Sequence, residues 1–201
     1  MMNAALERGE GYGMSVVRQA RLEDAQAIAK IEIETWRATY AGMLPDRVLL
    51  NMSERRQVSS WASFLRHRPE DVWVAEHPEW GVVGFGNCGT QRDGAVDYTG
   101  EVYTLYVLPD LQSRGLGREL LRALFVRLED GGHRSALVWV VRGNPARFFY
   151  ERLGGKQVMH RPIPVAGQPV EAIAYGWRDL ATVMGQTAQK SRGIAGDKPA
   201  Y

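Results

Sequence analysis

A glycine-containing turn near the middle of the chain has the residue types that bind an anion. It follows a strand-like run that ends at Pro109 and precedes apolar residues at helical spacing over 116–128. Free amides at a helix start, together with the helix dipole, favour negative charge, and glycines let a ligand approach the backbone. Two arginines add positive charge. The pattern predicts a diphosphate site formed by Gln112, Ser113, Arg114, Gly115, Leu116, Gly117 and Arg118.

The glycine spacing narrows the kind of phosphate-binding segment. A P-loop would need Gly-Lys-Ser/Thr, and a dinucleotide fingerprint needs three glycines at its own spacing directly after the first strand. The pattern Gln/Arg-x-x-Gly-x-Gly after a strand and a proline instead resembles the segment of the GNAT superfamily that holds the pyrophosphate of CoA. The alternative is a plain strand-to-helix connection, in which the glycines serve only the turn.

A second segment, residues 141–155, adds to this resemblance. It is similar to the family's signature Asn-x-x-Ala-x-x-Phe-Tyr followed by a glycine turn, although Ala146 falls one place early and Gly155 stands where the family usually has Phe. The resemblance implies that Asn144 binds the pantetheine arm of CoA and that Tyr150 lies near the CoA sulfur. Alternatively, Asn144 is only a helix cap and Tyr150 only a core aromatic residue.

The resemblance covers about residues 15–180 and implies an N-acetyltransferase with acetyl-CoA as co-substrate and no metal. Acetyl transfer to an amine has three physical requirements. The amine must be neutral, although an alkyl amine has a pKa of about 10. The carbonyl oxygen needs hydrogen-bond donors as it gains charge. The departing thiolate, with a pKa near 8.5 by analogy with Cys, is helped by a nearby acid.

Glu101 is the candidate general base. Its distance before Gln112 equals that of the glutamate used for this purpose in the histone-acetylating branch of the family. Strand alternation predicts that Glu101 shares one sheet face with Tyr103, Leu105 and Val107, where apolar surroundings would raise its pKa. We expect it to act through water. The alternative is a strand-end glutamate that faces solvent.

The same strand and the second segment are predicted to meet the other two requirements. The family uses a bulge that frees polar groups of this strand, so Val107 N–H would bind the carbonyl oxygen, and the Leu105, Tyr106 and Val107 backbone would pair with pantetheine. Tyr150 is the predicted general acid. Cys88 is interpreted as a small buried apolar residue and not as an acyl carrier.

The acceptor side is predicted from an early motif, Trp36-Arg-x-x-Tyr40-x-Gly-x-x-Pro, which recurs in several small-molecule N-acetyltransferases. Together with Glu32 and Asp97, these aromatic residues could form an anionic and aromatic pocket for a cationic amine. Core packing is the alternative, and is favoured for Trp36. The acceptor is expected to be a small primary amine; a protein N-terminus or lysine is the alternative.

Hydrophobic periodicity predicts the element order β-α-α-β-β-β-α-β-α-β-β. This order implies an α/β fold with a mixed, mostly antiparallel sheet of about seven strands flanked by helices. The predicted domain covers residues 14–185. Residues 1–13 are expected to be a flexible leader and residues 186–201 a flexible tail.

Composition limits the partners. A net charge of +2 is too small to indicate nucleic acid or an acidic membrane, and no apolar run is long enough to span a bilayer. The single cysteine excludes an intrachain disulfide. One cysteine and four scattered histidines also argue against a metal cluster. We expect a cytoplasmic enzyme; the sequence leaves open whether it is a monomer or a homodimer. The alternatives are an acyl-CoA sensor without turnover and a nucleic-acid-binding module that uses the basic tail.

Overall fold

The computed structural model describes residues 15–92, 94, 97–165 and 167–183. The predicted leader (1–13) and tail (186–201) lie outside the described residues, so the domain limits stay a prediction. In the part that the structure describes, no helix is both long and apolar enough to cross a bilayer. The same residues contain no group of three or more His, Cys, Asp or Glu side chains placed to hold a metal ion.

Seven strands and five α-helices occur along the described residues in the predicted order, with one short helix added. The strands are β1 (Val16–Gln19), β2 (Val72–His77), β3 (Gly81–Thr90), β4 (Gly100–Val107), β5 (Ala136–Val141), β6 (Lys156–Val165) and β7 (Gln168–Trp177). The helices are α1 (Ala25–Tyr40), α2 (Asp46–Leu50), α3 (Glu54–His67), α4 (Leu116–Asp130) and α5 (Ala146–Arg152). The added helix is α2, whose five residues are too few to show helical periodicity.

The strands form one sheet in the order β1-β2-β3-β4-β5-β7-β6. Only β4 and β5 are parallel among the neighbouring pairs of this sheet. Helix α4 is the crossover connection that a parallel pair requires. The predicted mixed, mostly antiparallel sheet with flanking helices is therefore confirmed.

Helices cover both faces of the sheet. On one side, which we call the α4 face, leucines at helical spacing on α4 pack against Cys88 and Val102. On the other side, the α1 face, α1 and α3 pack on the sheet through residues that include Ile28, Trp61 and Phe85. Burial of these apolar side chains is the main force that holds the helices on the sheet.

A bulge interrupts the pairing of β3 with β4. Cys88 lies opposite Val102 and Asn87 lies opposite Thr104, so Tyr103 is an extra residue on β4. Residues after the bulge consequently face the opposite side of the sheet from the one that simple alternation would give.

The bulge overturns the predicted faces of β4. The register puts Glu101 on the α1 face with Thr104 and Tyr106, whereas the side chains of Leu105 and Val107 pack on the α4 face. The prediction that Glu101 shares a face with Leu105 and Val107 was wrong, because an extra residue shifts the alternation by one.

Candidate functional site

The parallel strands β4 and β5 diverge along their length. Their pairing covers only Gly100–Val102 against Ala136–Val138. Both strands continue, β4 to Val107 and β5 to Val141. Their C-terminal halves therefore leave an opening in the sheet, which we call the β4–β5 cleft.

Backbone groups of β4 face this cleft. Leu108 N–H donates to Val83 O on the β3 side at 3.0 Å. Since N–H directions alternate along a strand, the amides of Val107 and Leu105 are directed into the cleft. The side chain of Gln112 donates to Val107 O at 3.0 Å. An extended ligand could pair with the remaining amides as another strand would.

The glycine turn lies directly before α4. Gly115 has φ 90° and Ser113 has φ 62°, both in the left-handed region. This conformation is natural for glycine and uncommon for serine. Helix α4 begins at Leu116, so its first amides have no acceptor within the helix. Arg114 and Arg118 are exposed beside the turn, and the arrangement suits a diphosphate.

Gly117 has a packing role that the sequence did not reveal. A Cβ at this position would lie 3.3 Å from Cζ of Phe149. The glycine thus lets α4 approach α5, in addition to any ligand that reaches the turn. Gly115 differs, because an added Cβ there would meet nothing within 4 Å.

The second predicted segment follows β5 directly and contains Asn144 and helix α5 with Tyr150. Asn144 Oδ1 accepts from Ala146 N–H at 2.8 Å, which caps α5. Tyr150 is 5% exposed, with its ring against Phe149, Tyr175 and Trp177. Burial raises the pKa of Tyr150.

The Tyr150 hydroxyl is reachable despite this burial. The hydroxyl has no hydrogen-bond partner among the described residues. Its oxygen is nevertheless not completely inaccessible. Its small exposed area therefore includes the hydroxyl, which leaves the O–H available to a ligand.

A cluster of aromatic and polar side chains lies on the α1 face beside the cleft. Trp36 Nε1–H donates to the Tyr106 hydroxyl at 3.1 Å, and the Trp36 and Tyr40 rings lie 5.2 Å apart. Burial raises the pKa of Tyr40, and the nearby Tyr106 and Asn144 side chains lower it. We call Trp36, Tyr40, Tyr106 and Asn144 the hydroxyl cluster. It joins α1, β4 and the start of α5, a link whose only sequence signal was the spacing of Trp36 and Tyr40.

Glu101 lies at the closed end of the cleft and is 2% exposed. Arg92 forms an ion pair with its carboxylate through the guanidinium, and Arg92 N–H donates to Oε2 at 3.1 Å. The guanidinium also stacks over Tyr103, 4.4 Å from the ring centroid. The alternative of a solvent-facing Glu101 does not describe this environment. Sequence reasoning missed Arg92 because it lies in the β3–β4 loop.

The four predicted acceptor residues do not come together. Glu32 is 8% exposed and accepts from Trp61 at 2.7 Å and from Gln57 at 2.8 Å. It thus joins α1 to α3, and burial raises its pKa. Asp97 is fully exposed, 3.9 Å from Arg178. Only Trp36 and Tyr40 adjoin the cleft, within the hydroxyl cluster.

The β6–β7 hairpin forms a further wall on the α1 face. Its residues Val165 and Val170 pack against a cluster that contains Tyr40, Leu44 and Leu49. The hairpin thereby closes over the end of α1 and over α2, next to the hydroxyl cluster. Sequence reasoning did not predict this contact, since the hairpin and α1 are far apart in the chain.

Comparison with solved structures gives the same architecture. An N-acetyltransferase from Staphylococcus aureus Mu50 superposes with a TM-score of 0.66 at 22% identity, covering 84% of this chain and 99% of that one. YncA from Salmonella typhimurium, solved with its cofactor acetyl-CoA, superposes with a TM-score of 0.63 at 23% identity, covering 84% and 95%. At these identities the likeness concerns the fold.

Sequence comparison extends the likeness to the family. The chain is 32% identical over 170 residues to YuaI, an uncharacterized N-acetyltransferase of Bacillus subtilis, covering 85% of this chain and 96% of YuaI. The model of the acetyltransferase (GNAT) family matches residues 28–155, more than half of the chain, including the glycine turn and the second segment. The resemblance predicted from these two segments is thus confirmed: the chain belongs to the GNAT family of N-acetyltransferases.

Proposed function

We propose that this N-acetyltransferase uses acetyl-CoA to acetylate a small primary amine, with the cofactor held along the β4–β5 cleft. The observation that carries the proposal is the cleft itself, which has a glycine turn and a helix start at one end. The proposal places the Tyr150 hydroxyl in the wall of this cleft. The Salmonella neighbour, solved with acetyl-CoA, supports the choice of cofactor.

The cofactor would be held by three groups of contacts. The diphosphate lies on the amides of residues 113–118 at the start of α4. Pantetheine runs along β4 and pairs with the backbone of Leu105 and Val107. Asn144 stands across the cleft from this strand, where its side chain already caps α5.

The reaction is a direct transfer. The neutral amine nitrogen attacks the carbonyl carbon, and Val107 N–H stabilises the charge that develops on the carbonyl oxygen. The C–S bond then breaks with its electron pair on sulfur, and Tyr150 O–H supplies the proton. Cys88 is not required, and burial raises the pKa of its thiol to about 12, which opposes a role as acyl carrier.

The proton of the amine goes, in this proposal, to Glu101 through water. An ion pair with the guanidinium of Arg92 holds this carboxylate in place. The same pair also covers Glu101, so Arg92 must move for a proton to arrive. Arg92 is itself 61% exposed in its side chain, which permits such a movement.

A small acceptor is favoured by the hairpin wall. Val165 and Val170 close over the end of α1, which leaves less room beside the hydroxyl cluster than an open surface for a protein segment would. The Arg92–Glu101 pair favours a second candidate, an acyl-CoA sensor without turnover, because it occupies the proposed base.

The test combines calorimetry with an amine panel. Wild-type protein should bind CoA and acetyl-CoA, and thiol release should appear with at least one small amine. Absence of binding to either form of the cofactor would refute the proposal. Binding without turnover of any amine, including peptides with free N-termini or lysines, would support the sensor instead.

A further inference from the structure

We propose that Arg92 occupies a cation site that the acceptor uses, and that the acceptor binds there as an ammonium ion. The site consists of the Glu101 carboxylate and the face of the Tyr103 ring, and the Arg92 guanidinium fills it in this structure. The inference deepens the proposed function and rests on it, because it brings the acceptor to the proposed base. Arg92 is then an internal competitor of the acceptor.

The bulge on β4 puts the aromatic ring beside the carboxylate. Glu101 lies opposite Gly89 on β3, so these two residues share one face of the sheet. The Tyr103 hydroxyl lies on the same face, because it would be 2.7 Å from a Cβ added to Gly89. It donates to Thr90 O at 2.6 Å. Gly89 thus leaves room for the ring, and the extra residue of the bulge becomes one wall of the site.

The contacts of the Arg92 guanidinium are those of a bound cation. Its Nε–H donates to Glu101 Oε1 at 3.1 Å, and its Nη2 forms an ion pair with the same oxygen. Its Cζ lies 4.4 Å from the centroid of the Tyr103 ring, within the range of a cation–π contact. The other carboxylate oxygen, Oε2, accepts from Arg92 N–H at 3.1 Å. The main chain therefore positions the carboxylate, and the side chain supplies the cation.

Burial distinguishes the site from its occupant. The side chain of Glu101 is 2% exposed, whereas that of Arg92 is 61% exposed. A carboxylate buried to this extent is costly without a cation beside it, so the site favours being filled. An arginine side chain that lies mostly in solvent can leave when another cation takes its place.

The chemistry of the site selects an amine in its cationic form. An alkyl amine has a pKa of about 10 and is mostly an ammonium ion near neutral pH. An ammonium ion gains both an ion pair with Glu101 and a cation–π contact with Tyr103. A neutral or anionic acceptor gains neither and does not displace Arg92. Before attack, the bound ammonium ion loses one proton to solvent water and keeps the electron pair on nitrogen, and Glu101 stays ionised.

A small cation tests the site without cofactor or turnover. Methylguanidinium is the probe, because it carries the head group of arginine. Its binding is followed by the NMR shifts of the Gly89 and Glu101 amides, with sodium chloride at equal ionic strength as the blank. Arg92→Ala should bind the probe at least about tenfold more tightly than wild type, because the tethered guanidinium no longer competes.

Three further variants, each made in the Arg92→Ala background, identify the walls of the site. Glu101→Gln should abolish binding of methylguanidinium, since the carboxylate is gone. Tyr103→Leu should weaken it about two- to fivefold, the size of a cation–π contact at an exposed site. Tyr103→Phe keeps the ring face and should leave the affinity unchanged, although it loses the hydrogen bond to Thr90 O.

Arg178→Ala is the matched control for removing an exposed arginine from an aromatic ring. Arg178 lies 5.3 Å from the centroid of the Tyr98 ring and 3.9 Å from Asp97. The side chain of Asp97 is fully exposed, so this variant leaves no buried carboxylate behind. Arg178→Ala should therefore bind methylguanidinium no more tightly than wild type does.

A kinetic measurement connects the site to the acceptor. For an amine that the panel shows to be acetylated, Arg92→Ala should lower KM for that amine. Methylguanidinium should inhibit this variant competitively against the amine and not against acetyl-CoA. Inhibition that is not competitive with the amine would show that the cation site is not the acceptor site, and would overturn the inference.

The outcomes separate this inference from the proposed function. If Arg92→Ala binds methylguanidinium no more tightly than wild type, Arg92 fills no cation site, and the inference is wrong whatever the result with CoA. Failure of wild-type protein to bind CoA, or to acetylate any amine, would overturn the proposed function and the assignment of the site to an acceptor. Should Arg92→Ala fail to fold, Arg92→Gln, which also removes the charge, takes its place with the same expected results.

Discussion

Replacing Gly115 by alanine separates ligand binding at the glycine turn from its contribution to stability. Gly115 has φ 90°, and the space around an added Cβ is empty, so backbone strain is the whole local cost. A non-glycine residue in this region costs about 1–2 kcal/mol. Gly132, with φ 84° and equally empty surroundings, lies just beyond the other end of α4. Gly132→Ala therefore applies the same strain about 25 Å away from the turn.

Both variants should lower the free energy of unfolding by about 1–2 kcal/mol, which for a chain of this size lowers the Tm by about 2–8 °C. Only Gly115→Ala should also weaken the binding of CoA. Reorienting the turn removes one or more hydrogen bonds to a charged phosphate, each worth about 1.5–3 kcal/mol, so the Kd should rise about ten- to hundredfold.

Calorimetry with CoA and thermal unfolding measure the two effects on the same samples. If Gly115→Ala weakens CoA no more than Gly132→Ala does, the amides of residues 113–118 do not hold the diphosphate. The reasoning from helix dipole and free amides would then be refuted, even if CoA binds elsewhere in the cleft.

Four other substitutions test the remaining assignments. Tyr150→Phe should lower kcat by about 10²–10⁴-fold with little change in acetyl-CoA affinity; wild-type turnover would exclude Tyr150 as the acid. Glu101→Gln should lower kcat about 10²-fold or more, whereas Arg92→Ala should retain turnover. Equal losses of turnover in the two variants would indicate that the Arg92–Glu101 ion pair has a structural role only. Burial raises the pKa of Glu32 in the folded state. The stability that depends on its neutral form is therefore fully present below the unfolded-state pKa, and it is lost as the pH rises through the folded-state pKa. Glu32→Gln should thus be more stable than wild type at neutral pH in denaturant unfolding, with the gap closing on acidification; a constant gap would contradict this.

Local signals in the sequence were sufficient for most elements. Strand β5 (Ala136–Val141) is a continuous apolar run that is buried on both faces, and such a run is typical of a central strand. Helix α4 is marked by its leucine spacing and by the glycines at its start. The two family segments adjoin these elements, which is why they were recognised together.

The remaining parts of the site depend on partners that are distant in the chain. The bulge at Tyr103 is defined only by the register against β3. Arg92 reaches Glu101 from a loop, and Glu32 turns to Trp61 and Gln57 on α3 instead of to an acceptor. Each of these contacts depends on tertiary packing, so residue types and spacing alone could not predict them.

In the proposed reaction, the bulge lets one strand contact both substrates. Without the extra residue, Glu101 would face the same side as Leu105 and Val107, whose side chains are packed against α4. The added residue keeps those apolar side chains buried while Glu101, Thr104 and Tyr106 face α1. The backbone between them is left to the cleft, since β5 pairs only with Gly100–Val102. The proposed base and the hydroxyl cluster therefore lie on the α1 face, the proposed acceptor side, and the amides proposed to bind the cofactor lie in the same strand. Deleting Tyr103 would restore simple alternation along β4, so the side chain of either Glu101 or Tyr106 would point into the core under α4.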